Sequence, residues 1–265
     1  MKPRLLFLAA MLLAGASALA QPWAKEKLEK SPRHGEWVDV KNGDRTVHCF
    51  IVYPEVKNPA PAVVVIHEIF GLTDWVRDVA DQLAAAGYIA IAPDLLSGTG
   101  PNGGGSSSFA SFDDVRPVIS KLPPDQITGD LNAAADYLKT LPSCNGKLAV
   151  AGFCWGGGQS FRFACNRADL KAAFVFYGPP PPAADMAKIN CPVDGFYAEM
   201  DNRISSTIPK TEKAMKDAGK TYEAVIYDGA GHGFMRAGED PEGSDANKKA
   251  HDKGWESMKA GLGKL

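Results

Sequence analysis

Apolar and polar residues alternate over 36–40, pause at Asn42-Gly43, and alternate again over 46–53. Period-two patterning on both sides of an Asn-Gly dipeptide predicts an antiparallel hairpin, because that tight turn needs residues that tolerate positive φ. The pattern then changes. Ala62-Val63-Val64-Val65-Ile66 is apolar at every position, as expected of a strand buried on both faces of a parallel sheet. Downstream, short apolar runs alternate with longer amphipathic ones. Helices are predicted over 74–86, 129–138, a stretch after Gly156, 209–218 and 246–262, and strands over 88–92, 147–151, 172–177, 192–197 and 222–227. This βαβα order predicts an α/β fold: a mostly parallel sheet of about eight strands, an N-terminal antiparallel hairpin, and helices on both faces.

Three stretches stand outside that rhythm. Residues 1–20 open on Met-Lys-Pro-Arg, continue as an apolar run over 5–14, and end on small residues at Ala18-Leu19-Ala20. This is the layout of a cleavable export signal. An uncleaved anchor is the alternative, but the run is shorter than the ~20 residues that span a bilayer. Residues 21–265 are then expected to form a single exported domain, periplasmic or secreted, with no membrane association after cleavage. Residues 21–35 are polar and read as loose. Residues 97–111, rich in glycine and serine, read as a mobile surface loop. It follows the strand ending at Pro93-Asp94, so it lies on the rim where open α/β sheets bind ligands, as a lid or as plain connection.

Composition narrows the options. A chain of 265 residues, 45% hydrophobic, can bury one large core, and its formal net charge of -2 comes from interspersed acids and bases. No basic block suggests a nucleic-acid partner, and a monomer acting on a small molecule is the default. Five cysteines in an exported chain leave at least one thiol free.

The candidate free thiol is Cys154. The strand over 147–151 runs into Gly152-Phe153-Cys154-Trp155-Gly156-Gly157, the pattern of a nucleophile elbow with cysteine in place of serine. The apex residue sits in a strained turn, so the positions two before and two after it must lack side chains. The turn also places Cys154 at a helix N-terminus, where the dipole favours a thiolate and following N–H groups face a reacting carbonyl. A small buried cysteine in a glycine-rich, phosphate-cradling bend would give the same local pattern.

A thiol needs a base beside it. His232, in Gly229-Ala230-Gly231-His232-Gly233-Phe234 just after the strand over 222–227, lies at the carboxyl edge of the sheet. His34, His48 and His251 have no such placement. The acid that orients the imidazole follows a strand between nucleophile and histidine in this fold. Asp201 fits that order; its rival Asp194 falls inside a strand. Glu68, in His67-Glu68-Ile69-Phe70-Gly71-Leu72, also follows a buried strand, either with a role there or as a solvent-facing cap. The N–H groups of Ile69 and Trp155 would form the oxyanion hole.

Together, His-Glu-Ile-Phe-Gly-Leu, Gly-Phe-Cys-Trp-Gly-Gly, the acid at Asp201 and Gly-His-Gly-Phe resemble the dienelactone hydrolase family, the carboxymethylenebutenolidases. The resemblance implies an α/β-hydrolase fold with a Cys154-His232-Asp201 triad, no cofactor and no metal, acting on a lactone or carboxylic ester. It also implies that Glu68 takes the thiol proton when substrate binds, and that Arg236 holds a substrate carboxylate. The family's second carboxylate-binding arginine is absent, since Leu96-Ser97-Gly98 stands in its place; Arg203 or Arg116 could substitute. Trp155 is bulkier than the usual aliphatic residue after the nucleophile. An exported carboxylesterase of other specificity, a non-catalytic binding protein on the same fold, and a redox role for Cys154 remain as alternatives. Cys144 and Cys165, before the elbow strand and at the end of its helix, are expected to pair as a disulfide if strand and helix are of similar length.

Overall fold

The structure, a computed structural model, describes residues 21–265; the export signal expected at 1–20 lies outside the described residues. Strands β1 (Gly35–Asn42), β2 (Arg45–Val52), β3 (Ala60–Ile66), β4 (Ile89–Pro93), β5 (Cys144–Phe153), β6 (Leu170–Phe176), β7 (Val193–Ala198) and β8 (Tyr222–Tyr227) form one sheet. Their order is β1-β2-β4-β3-β5-β6-β7-β8. The hairpin β1–β2 is antiparallel, as is the β2–β4 pairing, and every pairing from β4 to β8 is parallel. Around it lie α1 (Pro22–Lys30), α2 (Asp74–Ala85), α3 (Phe112–Ile119), α4 (Pro124–Thr140), α5 (Trp155–Asn166), α6 (Ala183–Met186), α7 (Asn202–Ser205), α8 (Ile208–Asp217), α9 (Phe234–Glu239) and α10 (Asp245–Leu262).

The apolar run of β3 is divided between two cores. Ala62, Val64 and Ile66 pack with Leu131 and Leu138 of α4 and Phe161 of α5. Val63 and Val65 pack with Trp75 and Val79 of α2 and Trp255 and Met258 of α10. Side chains alternate across a strand, so a sheet covered on both faces needs apolar residues at both parities. Each valine so buried contributes about 1.5–3 kcal/mol.

Four stretches depart from the sequence expectation. The stretch expected to be loose at 21–35 contains α1, with Pro22 at its first turn and Ala24 fully buried. The Gln21 side chain accepts a hydrogen bond from the Trp75 N–H, 2.8 Å away, which ties the start of α1 to α2. Helix α4 begins at Pro124 rather than 129. Gly129 is kept inside it because a Cβ there would lie 2.6 Å from the Asn42 side chain. Nor is the glycine-serine stretch a free loop. Ser106 is buried; its N–H and hydroxyl donate to Asp94 at 2.7 and 2.6 Å, and its hydroxyl accepts from the Leu72 N–H at 2.8 Å. Helix α3, which follows it, was not apparent from the sequence, because Pro117 interrupts its pattern.

Parallel pairing opens the carboxyl ends of β3, β5, β6, β7 and β8 along one edge. The chain leaving those ends carries, in turn, Glu68, Cys154, Tyr177, Asp201 and His232.

Candidate active site

Cys154 sits between β5 and α5 with φ 56° and ψ -117°, outside the regions an L-residue ordinarily populates. Its neighbours explain how that geometry is held. A Cβ on Gly152 would lie 2.0 Å from the Gly156 carbonyl oxygen, and one on Gly156 would lie 2.3 Å from the His67 oxygen. Backbone therefore packs on backbone at both glycines, and the Cys154 N–H donates to the Phe176 carbonyl at 3.0 Å.

The thiol has an imidazole in reach. Cys154 Sγ lies 3.0 Å from His232 Nε2, and His232 Nδ1 lies 2.5 Å from Asp201 Oδ2. Asp201 is 8% exposed, which keeps water from competing for that carboxylate. The N–H groups of Trp155 and Ile69 both face the sulfur and favour its anion, as does the charge of Arg203. Burial and the nearby Glu68 carboxylate act the other way and prevail, pushing the thiol up to about 11. The resting group is therefore a thiol, and the thiolate expected from the helix dipole alone is not the stable form.

Glu68 is 2% exposed and accepts a hydrogen bond from Arg236 Nε at 2.7 Å. Both Arg236 and Arg116 pack on the Phe70 ring, at 5.3 and 5.5 Å from its centroid. Arg203 reaches within 4.0 Å of Asp201 Oδ2 and is exposed. Arg203 and Arg236 thus lie close enough to the thiol to act on it, and only Arg236 is ion-paired to Glu68. Trp155 stacks on His67 at 5.6 Å and 14°, so its bulk rests on the end of β3.

Two residues of the site had no clear sequence signal. His67 is fully buried, and burial lowers its pKa. Its neutral ring donates through Nδ1 to the Glu68 carbonyl at 2.9 Å and accepts through Nε2 from the Leu95 N–H at 3.3 Å, which fixes the backbone between Glu68 and Ile69. Its position directly before Glu68 was the available hint. Tyr177 is fully buried with φ 41°; nothing in the sequence marks a tyrosine for that conformation. The other histidines lie on the Glu36, Asp39 and Glu239 carboxylates, and Asp194 lies within β7, where Lys264 and Glu223 act on it.

The expected Cys144–Cys165 disulfide is not formed; all five cysteines are free thiols. Strand β5 is longer than its sequence pattern suggested. From Cys144 to Cys154 the strand advances about 30 Å at ~3.3 Å per residue, while α5 returns only about 15 Å at ~1.5 Å per residue before Cys165. The thiol beside Cys165 is instead Cys191. Among the described residues no three His, Cys, Asp or Glu side chains are grouped to hold a metal ion.

A parallel sheet of this order, with a strained thiol at the β5–α5 turn and a histidine after β8, defines an α/β-hydrolase. The chain belongs to the dienelactone hydrolase family, whose model matches residues 47–265, and it is accordingly a hydrolase. A Methylorubrum extorquens protein named "Putative carboxymethylenebutenolidase" is 31% identical over 243 residues, covering 86% of this chain and 82% of its own. The crystal structure of a "Putative Dienelactone Hydrolase" from Klebsiella pneumoniae superposes with TM-score 0.78 at 27% identity, over 88% of this chain and 99% of that one. A dienelactone hydrolase from Anabaena variabilis, 19% identical, shares the fold with TM-score 0.62 over 85% of this chain and 97% of its own.

Proposed function

We propose that the protein hydrolyses a lactone or carboxylic ester through Cys154, His232 and Asp201, on substrates that bear a carboxylate. The observation that carries this reading is the continuous chain from Cys154 Sγ to His232 Nε2, 3.0 Å, and from His232 Nδ1 to Asp201, 2.5 Å. In the reaction the thiol proton passes by way of Glu68 to His232 Nε2, which lies 3.0 Å from the sulfur, as sulfur bonds to the carbonyl carbon. The carbonyl electron pair moves onto oxygen, which the Ile69 and Trp155 N–H groups stabilise. Collapse of this intermediate breaks the carbon–oxygen bond, and His232 returns a proton to the leaving oxygen. In a lactone that oxygen stays attached to the acyl chain. Water, deprotonated by His232, then cleaves the thioester and regenerates the thiol.

Arming the thiol is the step that burial and Glu68 oppose. Family resemblance assigns Glu68 the thiol proton once substrate arrives, and the ion pair to Arg236 supports that role. A substrate carboxylate near Arg236 weakens its hold on Glu68 and frees the acid to act on the sulfur. Arg236 and Arg116, both on Phe70, supply the positive charge that would draw such a substrate, and paired donors suit guanidinium to a carboxylate. The export pattern at residues 1–20 supports action outside the cytoplasm, by a chain that works as a monomer.

Replacing Cys154 by alanine tests the assignment. Hydrolysis of an activated aryl ester is expected to fall by about 10⁴-fold or more with unchanged thermal unfolding. Residual turnover within tenfold of the parent enzyme would move the chemistry to another group.

A further inference from the structure

Tyr177 closes the inner wall of the site and has no part in the scheme above. It leaves β6 with φ 41°, a conformation that costs a bulky residue of order 1–3 kcal/mol. It is held there at both ends: its N–H donates to the Phe196 carbonyl at 2.8 Å, and a Cβ on Gly178 would lie 2.3 Å from the backbone of Gly157. The ring meets His232 and Phe234 edge to face at 5.1 and 5.0 Å. The outcome of this strain is a hydroxyl delivered into the site with no hydrogen-bond partner. A buried hydroxyl left unpaired costs about 1–3 kcal/mol, so the arrangement is held at a double expense.

Its surroundings say what the hydroxyl is for. Burial raises the Tyr177 pKa well above the ordinary range, and the Glu68 carboxylate raises it further, with Arg236 and Cys154 also close enough to act. At neutral pH the group is a neutral phenol, able to donate one proton in a hydrogen bond. Glu68 accepts from Arg236 through Oε2 alone, and among the described residues no side chain donates to its Oε1. The Tyr177 hydroxyl therefore lies close to Glu68 but outside ordinary hydrogen-bond geometry, facing a buried carboxylate with spare acceptor capacity. If Arg236 turned to a substrate anion with nothing to replace it, Glu68 would be left charged and unpaired in the interior, which is strongly unfavourable.

We propose that Tyr177 is a positioning residue: its hydroxyl becomes the hydrogen-bond donor to Glu68 when Arg236 engages an anionic ligand. This rests on the functional reading above only in taking Arg236 as the group that meets the anion. It makes the Glu68–Arg236 pair separable, and so makes selectivity for acidic substrates depend on a hydroxyl that need not touch them.

The test compares alkylation of Cys154 by iodoacetate, which carries a carboxylate, with alkylation by uncharged iodoacetamide, at one pH. Tyr177→Phe keeps the ring and removes only the hydroxyl. Expected is a fall of about tenfold in the iodoacetate-to-iodoacetamide rate ratio, with the iodoacetamide rate and the thermal midpoint close to the parent. In an E68Q background, where no charge is left to receive the bond, Y177F should no longer alter the ratio. Arg236→Gln serves as the reference for full loss of anion preference. An unchanged ratio in Y177F, or equal slowing with both reagents, overturns the proposal. So does a Y177F effect that persists undiminished in E68Q. Because alkylation needs no turnover, loss of the hydrolytic reading would appear separately, as an enzyme that hydrolyses no ester while its alkylation ratio still responds to Tyr177.

Discussion

At the scale of single residues the site is a contest over one proton. Two amides and Arg203 favour sulfur as an anion, while burial and Glu68 favour it as a thiol and win, placing it near 11. Sulfur held neutral resists oxidation and adventitious alkylation, because the thiolate is the reactive form. The balance yields a signed prediction. A carboxylate close to a thiol raises its pKa, so Glu68→Gln removes one of the two opposing causes and should lower it by about one unit or more. The rate of iodoacetamide alkylation against pH reads this directly: the parent should still be rising toward about 11, with the E68Q profile displaced to lower pH. A profile that stays in place would mean that burial alone sets the thiol's resting state.

At the scale of elements, the placement of Arg236 depends on helices remote in sequence. Helix α9 carries Arg236 and ends at Glu239, which is buried on α2. Glu239 accepts from Lys27 of α1 at 2.8 Å, Trp75 and Gln82 of α2 at 3.2 and 3.0 Å, and His251 of α10 at 3.2 Å. Asp78 lies in the same cluster, 2% exposed. Burial and then the Glu239 charge push Asp78 up to about 7, while Glu239 is held down to about 2 because its bonds to His251 and Lys27 outweigh its own burial. An acid whose folded-state pKa is raised binds more proton when folded. Its contribution is therefore favourable at low pH and is lost as pH climbs from ~4 toward 7. Asn at position 78 keeps the shape without the charge. Asp78→Asn should raise stability more at pH 8 than at pH 5, by on the order of 2 kcal/mol. Urea unfolding at the two pH values measures this; a mutant that loses stability at pH 8 would show that the charged form is the one the cluster is built for.

This cluster also marks the boundary of what the sequence could reveal. The strand over 62–66, the elbow around Cys154 and the loop at His232 were legible because each is local: an apolar run, paired glycines, a turn after a strand. Helix α1 was not, since Lys25, Glu26, Lys27, Glu29 and Lys30 resemble a solvated stretch. What holds its last turn in place is a partner 212 positions away. The same holds for Phe70 gathering Arg116 and Arg236, and for Ser106 fastening the glycine-rich segment to Asp94. Backbone strain at Tyr177 was illegible for a different reason. Positive φ is announced by glycine or asparagine, and a tyrosine is forced into it only by neighbours that other strands supply.

For the whole molecule, the question is what holds the chain together when none of its cysteines is paired. Small exported domains use disulfides because their cores are too small; a sheet of eight strands covered on both faces does not need them. The cysteines follow this logic. Cys49, Cys165 and Cys191 are buried, and burial raises the pKa of each, so in the folded protein they behave as small apolar side chains. Cys144 and Cys154 are only partly buried, and Cys154 alone has an imidazole at 3.0 Å. A thiol reagent applied without reductant should therefore count five groups in the unfolded chain. In the native protein it should react only at Cys144 and Cys154, and leave the other three untouched until global unfolding. Reductant should not move the thermal midpoint. A count of three in the unfolded chain, or a midpoint that falls on reduction, would mean that a covalent bridge carries stability here assigned to the two cores flanking the sheet.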